Sequence, residues 1–400
     1  HLYETVNALG KGLIVRTWSS GCPHWLGDQY VHAPGYGNFG GTGEELWGRV
    51  IKELPAAIML QTKVYNCDVE PDPPFSPLIG KAAPHNQIAE YQIIGQTTGR
   101  YYFPASSVNY NTWTMKKSLH LIGEHAGVAL GYGATRQSNF SLLDDIVNGV
   151  NLYAARELSW NIDASLDEIW KNWATPIYGR QAAPHLIRAL QLSEDAVNRT
   201  FSVLGMGSST NSDFVDNIAR RETLLRYTNR YYLPEYAQYL EATKENIDRV
   251  IAEKEECMQG IEEMFRELAL AGPYLRLEHK SELETRFDWL REFAICRKYL
   301  DISLWRYRYL RRLAAMLTTD TEQMKYLAEA YDEVAKHAKL LFQYDPSQKF
   351  SCYDVTLGQL PRKPSLGDPM PLMTQLYSES KRFVEESVGP NYLPKYWLRA

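Results

Sequence analysis

Apolar positions recur along this chain in two different rhythms. Through the first third, short continuous apolar runs alternate with stretches of helical periodicity. The runs GLIVRTW (12–18), AAIMLQTK (56–63), QIAEYQII (87–94) and AGVALGYG (126–133) are bounded by chain breakers, as buried parallel strands are. Helical patterns precede or separate them at 2–9, 43–54 and 110–125. Alternation of this kind predicts an α/β architecture, and four strands suffice for half of an eight-stranded barrel or for a small open sheet.

From about residue 151 the rhythm becomes almost entirely helical. SLDEIWKNWA follows Asp163 and Ser165, both good N-cap residues. Residues 183–201 keep a sustained 3.6-residue apolar period, and 234–271 and 280–315 predict two long amphipathic helices meeting at Gly272-Pro273. Residues 321–342 and 378–387 add two more helices, and the proline-rich 345–370 predicts irregular structure. There is no internal repeat and no low-complexity segment.

Composition sharpens this division. Residues 1–150 hold 18 of the 26 glycines but only 22 of the 91 charged side chains. Glycine marks loops and close backbone approaches, whereas charge at helical spacing marks solvated helix faces. The expected organisation is therefore an α/β part over 1–155 and an all-α part over 156–400. The net charge of −5 provides no basic field for nucleic acid. No apolar run reaches membrane-spanning length, so no membrane partner is expected. The five cysteines, Cys22, Cys67, Cys257, Cys296 and Cys352, form neither a disulfide framework nor a CxxC metal site.

Three motifs lose their chemical reading on inspection. Gly35–Gly40 fits GxGxxG, but Tyr30-Val-His-Ala-Pro34 precedes it where a dinucleotide fingerprint needs a strand. Residues 19–43 read instead as a glycine-rich βα loop. His120 and His125 stand in HxxxEH, not in the HExxH spacing that places two imidazoles one turn apart. Cys22-Pro-His24 has no partners at ligand spacing, and no GxSxG elbow occurs.

The stronger signal lies at the strand ends, where (β/α) barrels carry their chemistry. Arg16 and Trp18, Lys63 and Asp68, Gln96 and Tyr132 sit there, with Glu90 inside the third strand. Carboxylates held in a pocket serve as general base or as an acid–base pair in glycoside hydrolysis. Two cations, Arg16 and Lys63, would suit an anionic substrate group, and Trp18 would suit stacking on a sugar. Equally, Arg16, Lys63, Asp68 and Glu90 could form structural ion pairs within the sheet layer, and the pattern leaves both readings open.

The stretch LQTKVYNCD…PFSPLIGK…NQIAEYQIIGQTTGR resembles the α-glucuronidases of glycoside hydrolase family 67, whose corresponding stretch reads approximately QxKNGPxDFQ…PVSPLFG…NQxxEFQITQEYTGQ. VRTW is similar to that family's strand ending in Arg-Ala-Phe. NLYAARELSWNIDASLDEIWKNW is similar to its NLYGxGRLAWDPxLSAEEIxxEW segment, and FSVLGMGSS more weakly to its PLGLHH loop. The resemblance runs over about 1–210. It implies the second half of a (β/α)8 barrel followed by a large helical domain. The implied activity is inverting, cofactor-free and metal-free removal of glucuronic acid or its 4-O-methyl ether from xylan-type oligosaccharides.

Carried over by position, Arg16 and Lys63 would bind around the uronate and Asp68 would help activate water. Gln96, 28 residues after Asp68, stands where the family has its second catalytic glutamate. An amide orients water but takes no proton, so Asp68 would act alone, Glu90 would be recruited, or the substrate would differ. The family's general acid lies upstream of the helix corresponding to 2–9, which leads to the expectation that the chain is the C-terminal part of a longer polypeptide. Two alternatives stand beside this reading. One is a related hydrolase acting on another acidic or deoxy sugar of a plant or algal polysaccharide. The other is a non-catalytic carbohydrate-binding or assembly protein. The expected partner is an oligosaccharide, with a homo-oligomer through the helices at 234–315 (Trp289 and Trp305 included) as a further possibility. Either a cytoplasmic or a periplasmic or secreted setting would be compatible.

Overall fold

The computed structural model describes residues 1–17, 50–64, 78–91, 93, 103–123, 126–130, 145–207, 214, 217–219, 221–222, 225, 238–344 and 368–388. They fall into two compact units, one of residues 1–97 and 106–177 and one of 98–105 and 178–400.

The first unit is built on a parallel sheet of β1 (Ile14–Arg16), β2 (Met59–Lys63), β3 (Gln87–Tyr91) and β4 (Ala126–Leu130), in the order β1-β2-β3-β4. All four predicted strands are present. Spatial order equal to chain order means that each crossover steps in the same direction, the winding of a barrel wall and not of a doubly wound sheet. Among the described residues nothing pairs with the outer edges of β1 and β4, and a closed barrel is not shown.

The two faces of the sheet differ. One is covered by apolar side chains: Leu60 of β2 packs with Ile51, Ile58, Leu78 and Ala82, and Val15 of β1 lies against them. Polar groups on that face are satisfied internally. Gln87 donates to Thr62 Oγ1 at 2.7 Å and to the Leu78 carbonyl at 3.0 Å, and its own oxygen accepts from Gly80 N–H at 2.9 Å. Gly80 has φ +77° and lies so close to the next helix that a Cβ would stand 2.3 Å from the Leu121 carbonyl oxygen. Only glycine fits there. That helix, α1 of the sheet layer (Val108–Ile122), is fastened to β3 by a buried hydrogen bond between Tyr91 and Ser118. Ser107, its N-cap, ties it to a following helix, α2 (Gly149–Trp160), through Asn151. A short helix at Leu2–Ala8 precedes β1 and buries no residue.

A long helix, α3 (Leu166–Phe201), leaves this unit and is broken at Gly179, whose φ of 84° and ψ of 162° are not helical. In the second unit it ends in a two-residue hairpin, β5 (Ser202–Val203) against β6 (Met206–Gly207). Leu204 and Gly205 both have positive φ, as a hairpin turn of this length requires. Three helices then follow: α4 (Lys244–Ala271), α5 (Leu277–Ala314) and α6 (Thr321–Tyr344). The last described helix is α7 (Met370–Val388). Thr243 caps α4 by accepting from Asn246 N–H at 3.2 Å, and a 3₁₀ turn at Gly272–Tyr274 joins α4 to α5. Trp289 and Trp305 are buried among these helices, and Trp305 donates to the Tyr239 carbonyl at 3.0 Å.

The centre of the second unit is electrostatic. Asp301 of α5 is fully buried, with Arg221 at 2.8 Å, Lys254 of α4 at 3.2 Å and Arg297 at 3.7 Å. Lys254 also donates to the carbonyls of Arg199 and Ser202 at the end of α3. Glu253 accepts from Leu204 N–H at 2.7 Å, which pins the strained turn. Burial raises the Asp301 carboxyl, but the charges of Arg297, Arg221 and Lys254 outweigh it and hold the pKa down to about 2.

Removing one member of a buried pair leaves the others uncompensated, at a cost of about 3–5 kcal/mol. Asp301→Ala is therefore expected to lower unfolding stability by about that much. Lys325→Ala, which breaks an exposed pair with Glu329, should cost under about 1 kcal/mol. Urea denaturation compares the two. Because the folded pKa lies below the ordinary aspartate value, the Asp301 contribution is complete above that value and is lost as pH falls through about 2.

Candidate functional site

Strand alternation decides which side chains share the second face of the sheet. Arg16 is paired in register with Gln61, Gln61 with Ile88, and Lys63 with Glu90. Arg16, Gln61, Lys63 and Glu90 thus occupy the same side, opposite Leu60, Thr62, Gln87 and Ala89. Parallel sheets usually bury apolar residues on both sides. Here one side is apolar and the other carries a row of charged and amide side chains.

Three of these side chains form a single hydrogen-bonded group. Arg16 grips Glu90 with two bonds, Nε to Oε2 at 2.6 Å and a short one from Nη2 to Oε1. Gln61, on the strand between them, donates Nε2 to Glu90 Oε2 at 2.7 Å. Glu90 is only 2% exposed, while the Arg16 side chain is 31% exposed. The carboxylate is therefore the buried member of the pair and the arginine the partly exposed one. Two charge-assisted bonds in a fixed fork make this the stronger kind of ion pair. Both carboxylate oxygens of Glu90 are thus engaged by donors.

Of the residues singled out in the sequence, Arg16 and Glu90 are thus brought together, as an ion pair within the sheet. Lys63 ends β2 in register with Glu90, and its side chain lies outside the described residues. Trp18, Asp68 and Gln96 also lie outside them, as do Tyr132, the Gly35–Gly40 motif, Cys22, His24 and His125. His120 is exposed on α1 of the sheet layer. Gln61 was not among the expected site residues. The signal for it was available, since it stands two positions before Lys63 and so on the same face. Among the described residues no group of three or more His, Cys, Asp or Glu is placed to hold a metal ion, and no helix is long and apolar enough to cross a membrane.

Because Glu90 is buried and Arg16 only partly so, losing the cation strands the anion. Arg16→Met is expected to cost about 2–4 kcal/mol and Gln61→Leu about 1–2 kcal/mol. The double change Arg16→Met with Glu90→Gln should cost less than the sum of its single changes. Denaturant unfolding of the four proteins measures this coupling directly.

No family model matches the chain, and no curated protein matches it in sequence. Among solved structures it is similar to a GH138 enzyme targeting pectin rhamnogalacturonan II, with a TM-score of 0.52 and 12% identity. The match covers 94% of this chain and 45% of that one, so the chain spans under half the length of its structural relative. At this identity the likeness is one of fold. It does not single out family 67: the chain shares the fold of the part of that enzyme it covers.

Proposed function

We propose that the chain is part of a glycoside hydrolase that cleaves the bond to an acidic sugar in a plant cell-wall polysaccharide. The observation that carries this reading is the polar face of the sheet, where Glu90, itself bonded by Gln61, holds the Arg16 guanidinium on a scaffold of glycosidase-like fold. Glu90 occupies the Nε–Nη2 edge of Arg16. The guanidinium would address the carboxylate of a uronate, and Lys63 from the neighbouring strand would add a second positive charge. A guanidinium fixed in advance loses little freedom on binding, which favours a planar anion over neutral sugars.

In this reading Glu90 positions Arg16 and does not act as the base. Asp68 takes a proton from the attacking water as the water oxygen bonds to the anomeric carbon. Gln96 orients that water through its amide. The bond from the anomeric carbon to the leaving oxygen breaks with inversion, and that oxygen receives a proton from a general acid outside the residues assigned here. No cofactor or metal takes part in these steps. Following the family 67 resemblance, the substrate would be an α-linked glucuronate or 4-O-methylglucuronate of xylan. A second reading, an acidic pectic oligosaccharide, is favoured by the structural likeness to an enzyme that targets rhamnogalacturonan II.

Incubation with aldouronic acids and with rhamnogalacturonan II oligosaccharides, followed by chromatography of released monosaccharides, tests the proposal. Release of a free uronate is expected from one of the two, whereas release of neutral sugars alone would overturn the reading. Arg16→Lys keeps the charge but loses the fork, and should raise KM by about 10–100-fold with kcat little changed. Asp68→Asn should lower kcat by about 10²–10⁴-fold. An Asp68→Asn protein as active as the parent would remove Asp68 from its assigned role.

A further inference from the structure

The buried carboxylates of this protein do not all meet permanent cations. Glu90 faces Arg16, and Asp301 faces Arg221, Lys254 and Arg297, groups that keep their charge through neutral pH. Glu292 of α5 is as well buried, and the hydrogen bond it accepts comes from His337 Nδ1 of α6. The other ring nitrogen, Nε2, lies 3.3 Å from Glu333 Oε2, one turn earlier on α6. An ionised carboxylate only accepts hydrogen bonds. A ring with a carboxylate oxygen at each nitrogen therefore needs a hydrogen on both, and an imidazole with both hydrogens is a cation.

The surroundings replace that charge only in part. Arg291 of α5 stands 3.6 Å from the other oxygen of Glu292, but it donates to Asp288 at 2.6 Å. Lys336, 3.2 Å from Glu333, is exposed. Among the described residues no other charged group pairs with His337, from α5, α6 or α7. Loss of one hydrogen acts unequally on the two carboxylates. With Nδ1–H kept on Glu292, Nε2 presents a lone pair to Glu333, which is 38% exposed and can turn to water. Glu292 has no such escape, and a buried carboxylate deprived of its cation is costly.

We infer that His337 is a proton-dependent clamp between α5 and α6, closed when its imidazole is charged and loosened when the ring is neutral. An imidazole in water titrates at about 6.5. Because only the charged ring makes the double contact, the clamp is complete at mildly acid pH and is lost as the pH is raised above the imidazole range. It lies wholly in the second unit and stands or falls independently of the hydrolytic reading.

Hydrogen exchange of the 400-residue protein, read by mass spectrometry on peptides of α6 and α4 at about pH 5.5 and about pH 8.5, tests this once intrinsic exchange rates are divided out. One linked proton changes an opening constant by up to about tenfold per pH unit. Protection of 321–344 relative to α4 is therefore expected to fall by about tenfold or more across the interval. His337→Gln keeps an N–H for Glu292 but carries no charge at either pH, and its α6 protection should change by less than about threefold. Glu333→Gln alters an exposed side chain, should fold as the parent does, and should lose less α6 protection than the parent on raising the pH. The inference is overturned if α6 protection in the parent is the same at both pH values, or if His337→Gln loses it as steeply as the parent. Should His337→Gln fail to fold, Glu333→Gln decides alone, and a fall as steep as the parent's overturns the clamp.

Discussion

A carboxylate placed in the middle of a parallel sheet sets the terms for the whole first unit. Glu90 is almost without access to water, and an ionised carboxylate in that position is tolerated only if its lost hydration is replaced by fixed donors. Those donors come from Arg16 on β1 and Gln61 on β2. Three strands must therefore stand in one register for the charge to be satisfied, and a slip by one residue would turn the donors to the opposite face. The apolar packing of Leu60, Ile51 and Leu78 on the other side favours the sheet in general. The ion pair favours this register of it.

The second unit solves a similar problem with a different outcome. Asp301 is as deeply buried as Glu90, and it faces three cations, Arg221, Lys254 and Arg297. Its partners are drawn from α4, from α5 itself and from Arg221, and Lys254 extends the group to the end of α3. Every member is buried, so the charge serves to fix where helices meet and how the hairpin at Leu204 turns. In the first unit the Arg16 side chain is 31% exposed beside its buried partner, and that difference in exposure is why chemistry is proposed for Arg16 and not for the Asp301 cluster.

How much of this was legible in the sequence follows from which forces act locally. The four strands and the long helices could be read because continuous apolar runs and 3.6-residue periods are properties of a single segment. The hairpin at 202–207 could not, since strands of two residues have no period and Leu204 gives no hint of a positive φ. The charges of α5 mislead for a related reason. Arg286, Glu292, Arg297, Asp301 and Arg306 look like a solvated face, yet all are buried; Arg221 and Lys254 reach Asp301, His337 reaches Glu292 and Gln323 reaches Arg306 from elsewhere in the chain. Arg16 and Glu90 were legible as candidates, and the alternative that they pair within the sheet was legible too. Gln61 was legible as a neighbour on the same face, but that it donates to Glu90 is visible only in the structure.

The opposition between a structural ion pair and a substrate-binding arginine dissolves once the geometry is considered. An arginine waiting in water for an anionic ligand spends binding energy on ordering its own long side chain. One whose Nε–Nη2 edge is already fixed by a buried carboxylate has met that cost during folding. Glu90 also holds the guanidinium plane through two bonds. Lysine could not be held in this way, because a single ammonium offers no second edge. On the proposed reading, the pair that specifies the register of the sheet is also what makes its open face selective for an acidic sugar.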